Sequence, residues 1–204
     1  MSFKKHITAL LLVIAWLVLG CGEASKLRSL PGDAVVLAFG DSLTLGVGVS
    51  RESSYPAVLA RVTGLNVINA GVSGEVTAAG VKRLPQLLRE HEPDLVIICH
   101  GGNDILRRQS MKVAEANLRE MVQDSKSMNV DVVLVAVPEL NLFGSPPGFY
   151  EQVARDFNVP IEANILGDLV RDREMKSDHV HLNRVGYQKL AEAISDTLHE
   201  FGAL

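Results

Sequence analysis

The chain has 204 residues, 47% hydrophobic and 22% charged, which is ordinary globular material with enough length for one well-buried core. A formal charge of -4 at pH 7 with no basic stripe excludes a phosphate backbone as the main partner, so no nucleic-acid role is expected. No fixed-period repeat, low-complexity tract or Pro/Ser-rich linker divides the chain, which argues for one domain.

The amino terminus differs from the rest. Lys4 and Lys5 precede an apolar run over 7–19, too short to span a bilayer comfortably but with the n-region and h-region of an export signal. Val18-Leu19-Gly20-Cys21 resembles a bacterial lipobox, in which the cysteine becomes the lipidated first residue after cleavage, although Leu19 is bulkier than usual. The expectation is a lipoprotein-type signal over 1–20, a short tether over 21–32 and a folded domain over 33–204, attached to the membrane through Cys21. An uncleaved anchor and an ordinary signal cut elsewhere are the alternatives. Gly22 is not Asp, so the usual inner-membrane retention signal is missing, and an outer-membrane lipoprotein facing the periplasm is expected. Setting Cys21 aside leaves Cys99 without a partner, so no disulfide framework supports the fold. Within its apolar run, Cys99 reads as a small core hydrophobe.

Continuous apolar runs rich in β-branched residues at 34–39, 65–70, 95–99 and 130–137 have the length of strands buried on both faces. Helical spacing lies between and after them, over 55–62, 76–91, 112–128 and 149–157, with Pro85 predicting a kink or break in the second. A weak fifth strand is expected over 159–161, where Pro160 counts against it. The last helix shows Val185, Leu190, Ile194 and Leu198 as one stripe, with Asn183 as its N-cap. Strands alternating with helices imply right-handed crossovers and an α/β fold: a three-layer αβα sandwich around a flavodoxin-like, doubly wound parallel sheet.

In such a sheet the ligand crevice lies outside the carboxyl ends of the strands, so polar residues leaving successive strands meet in space. Ser42 leaves the first strand through Gly40-Asp41, and Asp178 and His181, separated by two residues, stand on the loop before the last helix. That spacing lets the carboxylate reach one imidazole nitrogen while the other faces outward, whereas His179, adjacent to Asp178, points away. Gly74 offers a backbone amide with no side chain in the way, and Asn103 offers a side-chain amide. Serine hydrolysis of an ester needs this set: a nucleophile, a base, an acid that orients the base, and donors for the oxyanion. Taken singly they read as turn glycines, an Asx turn and a solvated loop charge. Their joint placement at strand exits favours the hydrolase. His100, just before Gly101-Gly102, reads as a satisfied histidine supporting the strand exit, and His91 and His199 as helix-end residues.

Taken together, Gly40-Asp41-Ser42-Leu43-Thr44, Asn69-Ala70-Gly71-Val72-Ser73-Gly74, Gly101-Gly102-Asn103-Asp104 and Asp178-His179-Val180-His181 resemble the SGNH (GDSL-type) serine hydrolases, in the bacterial arylesterase, thioesterase I and lysophospholipase branch. The resemblance implies the SGNH hydrolase fold over 33–204, Ser42 as nucleophile, His181 as base and Asp178 as its partner. It also implies an oxyanion hole made by the Ser42 amide, Gly74 and Asn103, and an acyl site bordered by Pro138-Glu139-Leu140-Asn141-Leu142-Phe143-Gly144. Two departures stand out. Leu182 replaces the proline usual after the histidine, which predicts a looser start to the last helix, and Glu75 replaces the Asp frequent in the branch.

Competing readings lack their residues. There is no GxSxG elbow, no Walker loop and no GxGxxG opening a helix. A flavodoxin-like binding module would need phosphate-cradling Ser/Thr after the first strand; Ser42 and Thr44 supply only part of it, and it has no use for Asp178 and His181. No second cluster joins Asp178, His179 and His181 to complete a metal site, so neither metal nor cofactor is expected. The expected activity is hydrolysis of acyl esters or thioesters, including lipid esters, through a Ser-His-Asp triad and an acyl-enzyme. Only 5% of residues are aromatic, with no carbohydrate-stacking cluster, so O-deacetylation of cell-envelope carbohydrate is the alternative.

Overall fold

A computed structural model of the protein describes residues 25–139 and 144–204. The expected signal, Cys21, and Leu140 to Phe143 of the loop assigned to the acyl site lie outside the described residues. Five strands, β1 (Val35–Gly40), β2 (Asn66–Gly71), β3 (Leu95–Cys99), β4 (Asp131–Val135) and β5 (Ile161–Glu162), form one all-parallel sheet in the order β2-β1-β3-β4-β5. This is the flavodoxin-like order, with its switch point between β1 and β3. The register pairs Gly40 with both Gly71 and Cys99, so three strands end level with one another at the crevice.

Every residue of β3 is buried, and so are Val36 to Phe39 of β1, because helices cover both faces. Each large apolar side chain removed from water here contributes about 1.5–3 kcal/mol. The chain first moves from β1 to β2 and then reverses across the sheet. Right-handed crossovers therefore put α2 (Tyr55–Thr63) on one face, and α3 (Thr77–His91), α5 (Met111–Ser127) and α6 (Phe149–Phe157) on the other. The final helix α8 (Arg184–Glu200) packs beside α2, while α3 packs on α5 and α5 on α6. Short helices α1 (Ser42–Leu45) and α4 (Gly102–Leu106) follow β1 and β3, and α7 (Ile165–Arg171) follows β5.

Four expectations need correction. Of the kink or break expected at Pro85, the break does not occur: helix α3 runs as one element through Pro85, with the buried Leu84 and Leu88 on either side anchoring it against the loss of one backbone bond. Val185 is 43% exposed and does not share the α8 stripe. It stands five residues before Leu190, well off that face at about 100° per residue, and the buried stripe is Tyr187, Leu190, Ala191, Ile194 and Leu198. The fifth strand exists, but at Ile161–Glu162; Pro160 precedes it at the sheet edge, and its carbonyl accepts from the Leu134 amide at 3.0 Å. Finally, Leu182 does not loosen the start of α8, because its side chain is fully buried and its backbone bridges to Lys176.

Candidate active site

The turn that carries Ser42 is pressed between strand ends. A Cβ at Gly40 would stand 2.1 Å from the Cys99 carbonyl oxygen, and one at Gly71 would stand 2.1 Å from the Leu45 amide nitrogen, so only glycine fits either place. Asp41 caps α1 by accepting from the Leu43 amide at 3.1 Å. Its other oxygen accepts from Asn103 Nδ2 at 3.1 Å, which joins the β1 exit to the β3 exit. Burial pushes the Asp41 carboxyl above its usual range, partly offset by His100 and by these hydrogen bonds.

Ser42 Oγ lies 3.0 Å from His181 Nε2, and His181 Nδ1 lies 2.7 Å from Asp178 Oδ2. Asp178 Oδ1 accepts from the amides of Val180 and His181, both at 2.8 Å. With Nδ1–H donating to the carboxylate, Nε2 is left to accept the serine proton. Partial burial opposes ionisation of Asp178, but the His181 ring and the two amides outweigh it and hold the carboxyl at about 2. The loop itself is tied down. The Ser177 amide donates to the His181 carbonyl at 3.0 Å, the Asn183 amide to Met175 at 2.9 Å, and the Asn183 side chain caps α8 through Val185 and Gly186. His179 is exposed and takes no part in these bonds.

Gly74 lies in the turn after β2 at φ +77°, a conformation that favours glycine. Its carbonyl accepts from Arg107 Nη2 at 2.8 Å, and the Arg107 amide closes α4 on the Asn103 carbonyl at 3.0 Å. Arg107, which the sequence did not single out, thus links the two residues read as oxyanion donors. Asp104 serves structure: its carboxylate accepts from the Thr77 amide at 2.9 Å and the Thr77 hydroxyl at 2.7 Å, capping α3. His100 is a satisfied buried histidine, with Nδ1 accepting from the Gly101 amide at 3.0 Å.

Beside the serine, Leu43, Ile105, Leu106, Val137, Val170 and Val180 wall a cavity of about 40 Å³ that Ser42, Asn103 and His181 also face. Among the described residues no group of three or more His, Cys, Asp or Glu is placed to hold a metal ion.

Residues 38–189 match the sequence model of the GDSL-like lipase/acylhydrolase family. The chain belongs to that family. It is a carboxylic ester hydrolase by class, and its sheet is the one such enzymes share. The chain is 28% identical over 204 aligned residues to the thioesterase 1/protease 1/lysophospholipase L1 of Escherichia coli (strain K12), covering 96% of this chain and 93% of that protein. Over 107 residues it is 40% identical to an arylesterase of Vibrio mimicus, spanning 50% of this chain and 54% of that one. Among solved structures, the SGNH-hydrolase family esterase AlinE4 superposes with a TM-score of 0.63 at 32% identity, over 84% of this chain and 98% of that one. The psychrotrophic esterase EstA from Pseudoalteromonas sp. superposes at 0.73 with 25% identity, over 83% and 98%.

Proposed function

We propose that the protein hydrolyses acyl esters or thioesters through an acyl-enzyme on Ser42. The observation that carries this reading is the hydrogen-bonded chain from Ser42 through His181 to Asp178, at 3.0 and 2.7 Å, beside an apolar cavity. His181 Nε2 takes the hydroxyl proton as Oγ attacks the acyl carbon, and Asp178 stabilises the imidazolium. The oxyanion meets Asn103 Nδ2 and the amides of Gly74 and Ser42. The His181 proton then passes to the departing alcohol or thiol. Water, deprotonated by His181, attacks the acyl-enzyme, and His181 returns that proton to Ser42 Oγ as the bond to the acyl carbon breaks and the carboxylic acid leaves.

A panel of nitrophenyl esters of increasing acyl length, run beside an acyl-CoA, a lysophospholipid and an acetylated sugar, tests the substrate class. Short-chain esters are expected to lead, since the cavity is small, and Ser42→Ala is expected to abolish turnover and labelling by an aryl phosphonate. Retained turnover in Ser42→Ala would refute the acyl-enzyme. The small cavity also admits acetyl groups, so O-deacetylation of carbohydrate is the second reading, and the acetylated-sugar arm decides it.

Lys4, Lys5, the apolar run and Gly20-Cys21 support attachment to the outer membrane, facing the periplasm, through lipid on Cys21. Several acyl chains would hold the enzyme firmly where one would not. Cys21→Ser is expected to leave the membrane fraction; a variant that stays there, or an unmodified cysteine by mass spectrometry, would overturn the anchor.

A further inference from the structure

By sequence alone Glu75 has no assigned role and His100 supports a strand exit; the structure puts them in one buried pair. We infer that Glu75 and His100 form a clamp that holds the Gly74 turn and the Asn103 helix in register, making both of them positioning residues for ester hydrolysis. The inference rests on the reading of Gly74 and Asn103 as oxyanion donors.

Glu75 directly follows Gly74, and His100 directly follows β3, three residues before Asn103. Glu75 Oε2 lies 3.1 Å from His100 Nε2, and the two side chains are 6% and 0% exposed. Because His100 Nδ1 accepts from the Gly101 amide, the ring proton sits on Nε2 and is donated to Glu75. Arg83 holds the carboxylate from the other side, Nε to Oε1 at 2.9 Å and Nη2 to Oε2 at 2.6 Å. It also donates to the Ala70 carbonyl at 3.0 Å and lies 4.3 Å from the centroid of the Phe39 ring. The Tyr150 hydroxyl donates to the His100 carbonyl at 2.8 Å. The ends of β1, β2 and β3 thus meet in one polar knot beneath the two loops.

Helix α3 makes room for this knot. A Cβ at Gly80 would stand 2.4 Å from His100 Nε2, so the helix carries a glycine at a fully helical position where alanine is the better former by about 1 kcal/mol. A buried charge network adds little net stability, because desolvation offsets the attraction, and well-packed apolar residues hold the same space as well or better. What such a network does supply is fixed geometry. Donors displaced by about 1 Å from a developing charge lose on the order of 100-fold in rate.

The test compares Glu75→Gln, Glu75→Asp and Gly80→Ala with Asn103→Ala on p-nitrophenyl acetate, alongside thermal melting. Each protein is also titrated with an aryl trifluoromethyl ketone, whose hemiketal oxyanion mimics the reaction intermediate. In Glu75→Gln and Gly80→Ala, kcat is expected to fall about 10- to 100-fold with KM within about twofold, and inhibitor affinity to fall by the same factor as kcat. Glu75→Asp, which keeps the carboxylate, is expected to recover part of both. If Glu75→Gln does not fold, Gly80→Ala decides, because it leaves every charge in place. Folded variants whose kcat and inhibitor affinity stay within twofold of wild type, while Asn103→Ala loses both, would overturn the clamp. If Asn103→Ala itself keeps both, the oxyanion reading fails and the clamp with it.

Discussion

Replacing Asp178 with Asn tests the site more sharply than removing it, because the two carboxylate oxygens have different duties. Oδ1 accepts two backbone amides at 2.8 Å, from Val180 and His181, whereas Oδ2 accepts only the His181 ring at 2.7 Å. An asparagine keeps its oxygen on the two amides, since the opposite orientation sets its NH2 against two N–H donors. Its NH2 then faces His181 Nδ1, which must accept, and the ring proton moves to Nε2, where it blocks transfer from Ser42. Preferring two satisfied bonds over one is worth about 1 kcal/mol. Losing the carboxylate beside the developing imidazolium costs about 2 kcal/mol more, towards the low end for a charge whose side chain is 50% exposed. Together these predict a fall in kcat on the order of 100-fold. Asp178→Ala also frees the Val180 and His181 amides but does not force the ring proton onto Nε2, so with the loss of about 2 kcal/mol of charge stabilisation its kcat is expected to fall about 30-fold and to stay above that of Asp178→Asn. Steady-state kinetics on p-nitrophenyl acetate, with circular dichroism to confirm folding, measures both. An Asn variant as active as the Ala variant would refute the tautomer argument.

His181→Ala is expected to abolish nearly all esterase activity while the fold is retained, and His179→Ala to be mild; the reverse kinetics would overturn the choice of base. Asn103→Ala is expected to lower kcat on a short-chain ester about 100- to 1000-fold, and chelators to leave wild-type activity unchanged. Burial of Glu75 opposes its ionisation, but hydrogen bonds from His100 and Arg83 outweigh this and bring its carboxyl from 4.5 down to about 2. The folded value lies below the unfolded one, so whatever this ionisation contributes to stability is full above pH 4.5 and is lost as the pH falls towards 2. Urea unfolding across that window is expected to show a smaller loss of stability in Glu75→Gln than in wild type, and parallel profiles would count against it.

Strands buried on both faces announce themselves as unbroken apolar runs, which is why β3 falls where the sequence places it, at Leu95–Cys99, and helical spacing places α6 in the same way at Phe149–Phe157. The very short helices were not legible. Over four or five residues no period can show, and α1 is shaped by the two strand ends that Gly40 and Gly71 admit. Helix α7 was missed because its buried Leu166, Leu169 and Val170 fall within seven residues, less than two full turns. Ser42 and Asn103 are legible as residue types at strand exits, and Asp178 and His181 as a pair on the loop before the last helix. Asp41, Arg107 and Glu75 were not, because each works through a partner 62, 33 or 25 residues away that only the folded sheet brings close.

The carboxylate of Asp104 has a consequence for how the chain folds. The residue before α3, Val76, has no side chain able to cap it, so the first turn relies on an acid 27 residues further along. The segment 77–91 therefore lacks its own start signal and gains one only when β3 has docked and α4 has turned. We expect a bond that closes across such a distance to form after the transition state for folding, which the unfolding and refolding rates of Asp104→Asn would test. Weakening it should then speed unfolding and leave the folding rate nearly unchanged. The acid that ends the Gly-Gly-Asn-Asp signature would in that case govern how long the native state lasts.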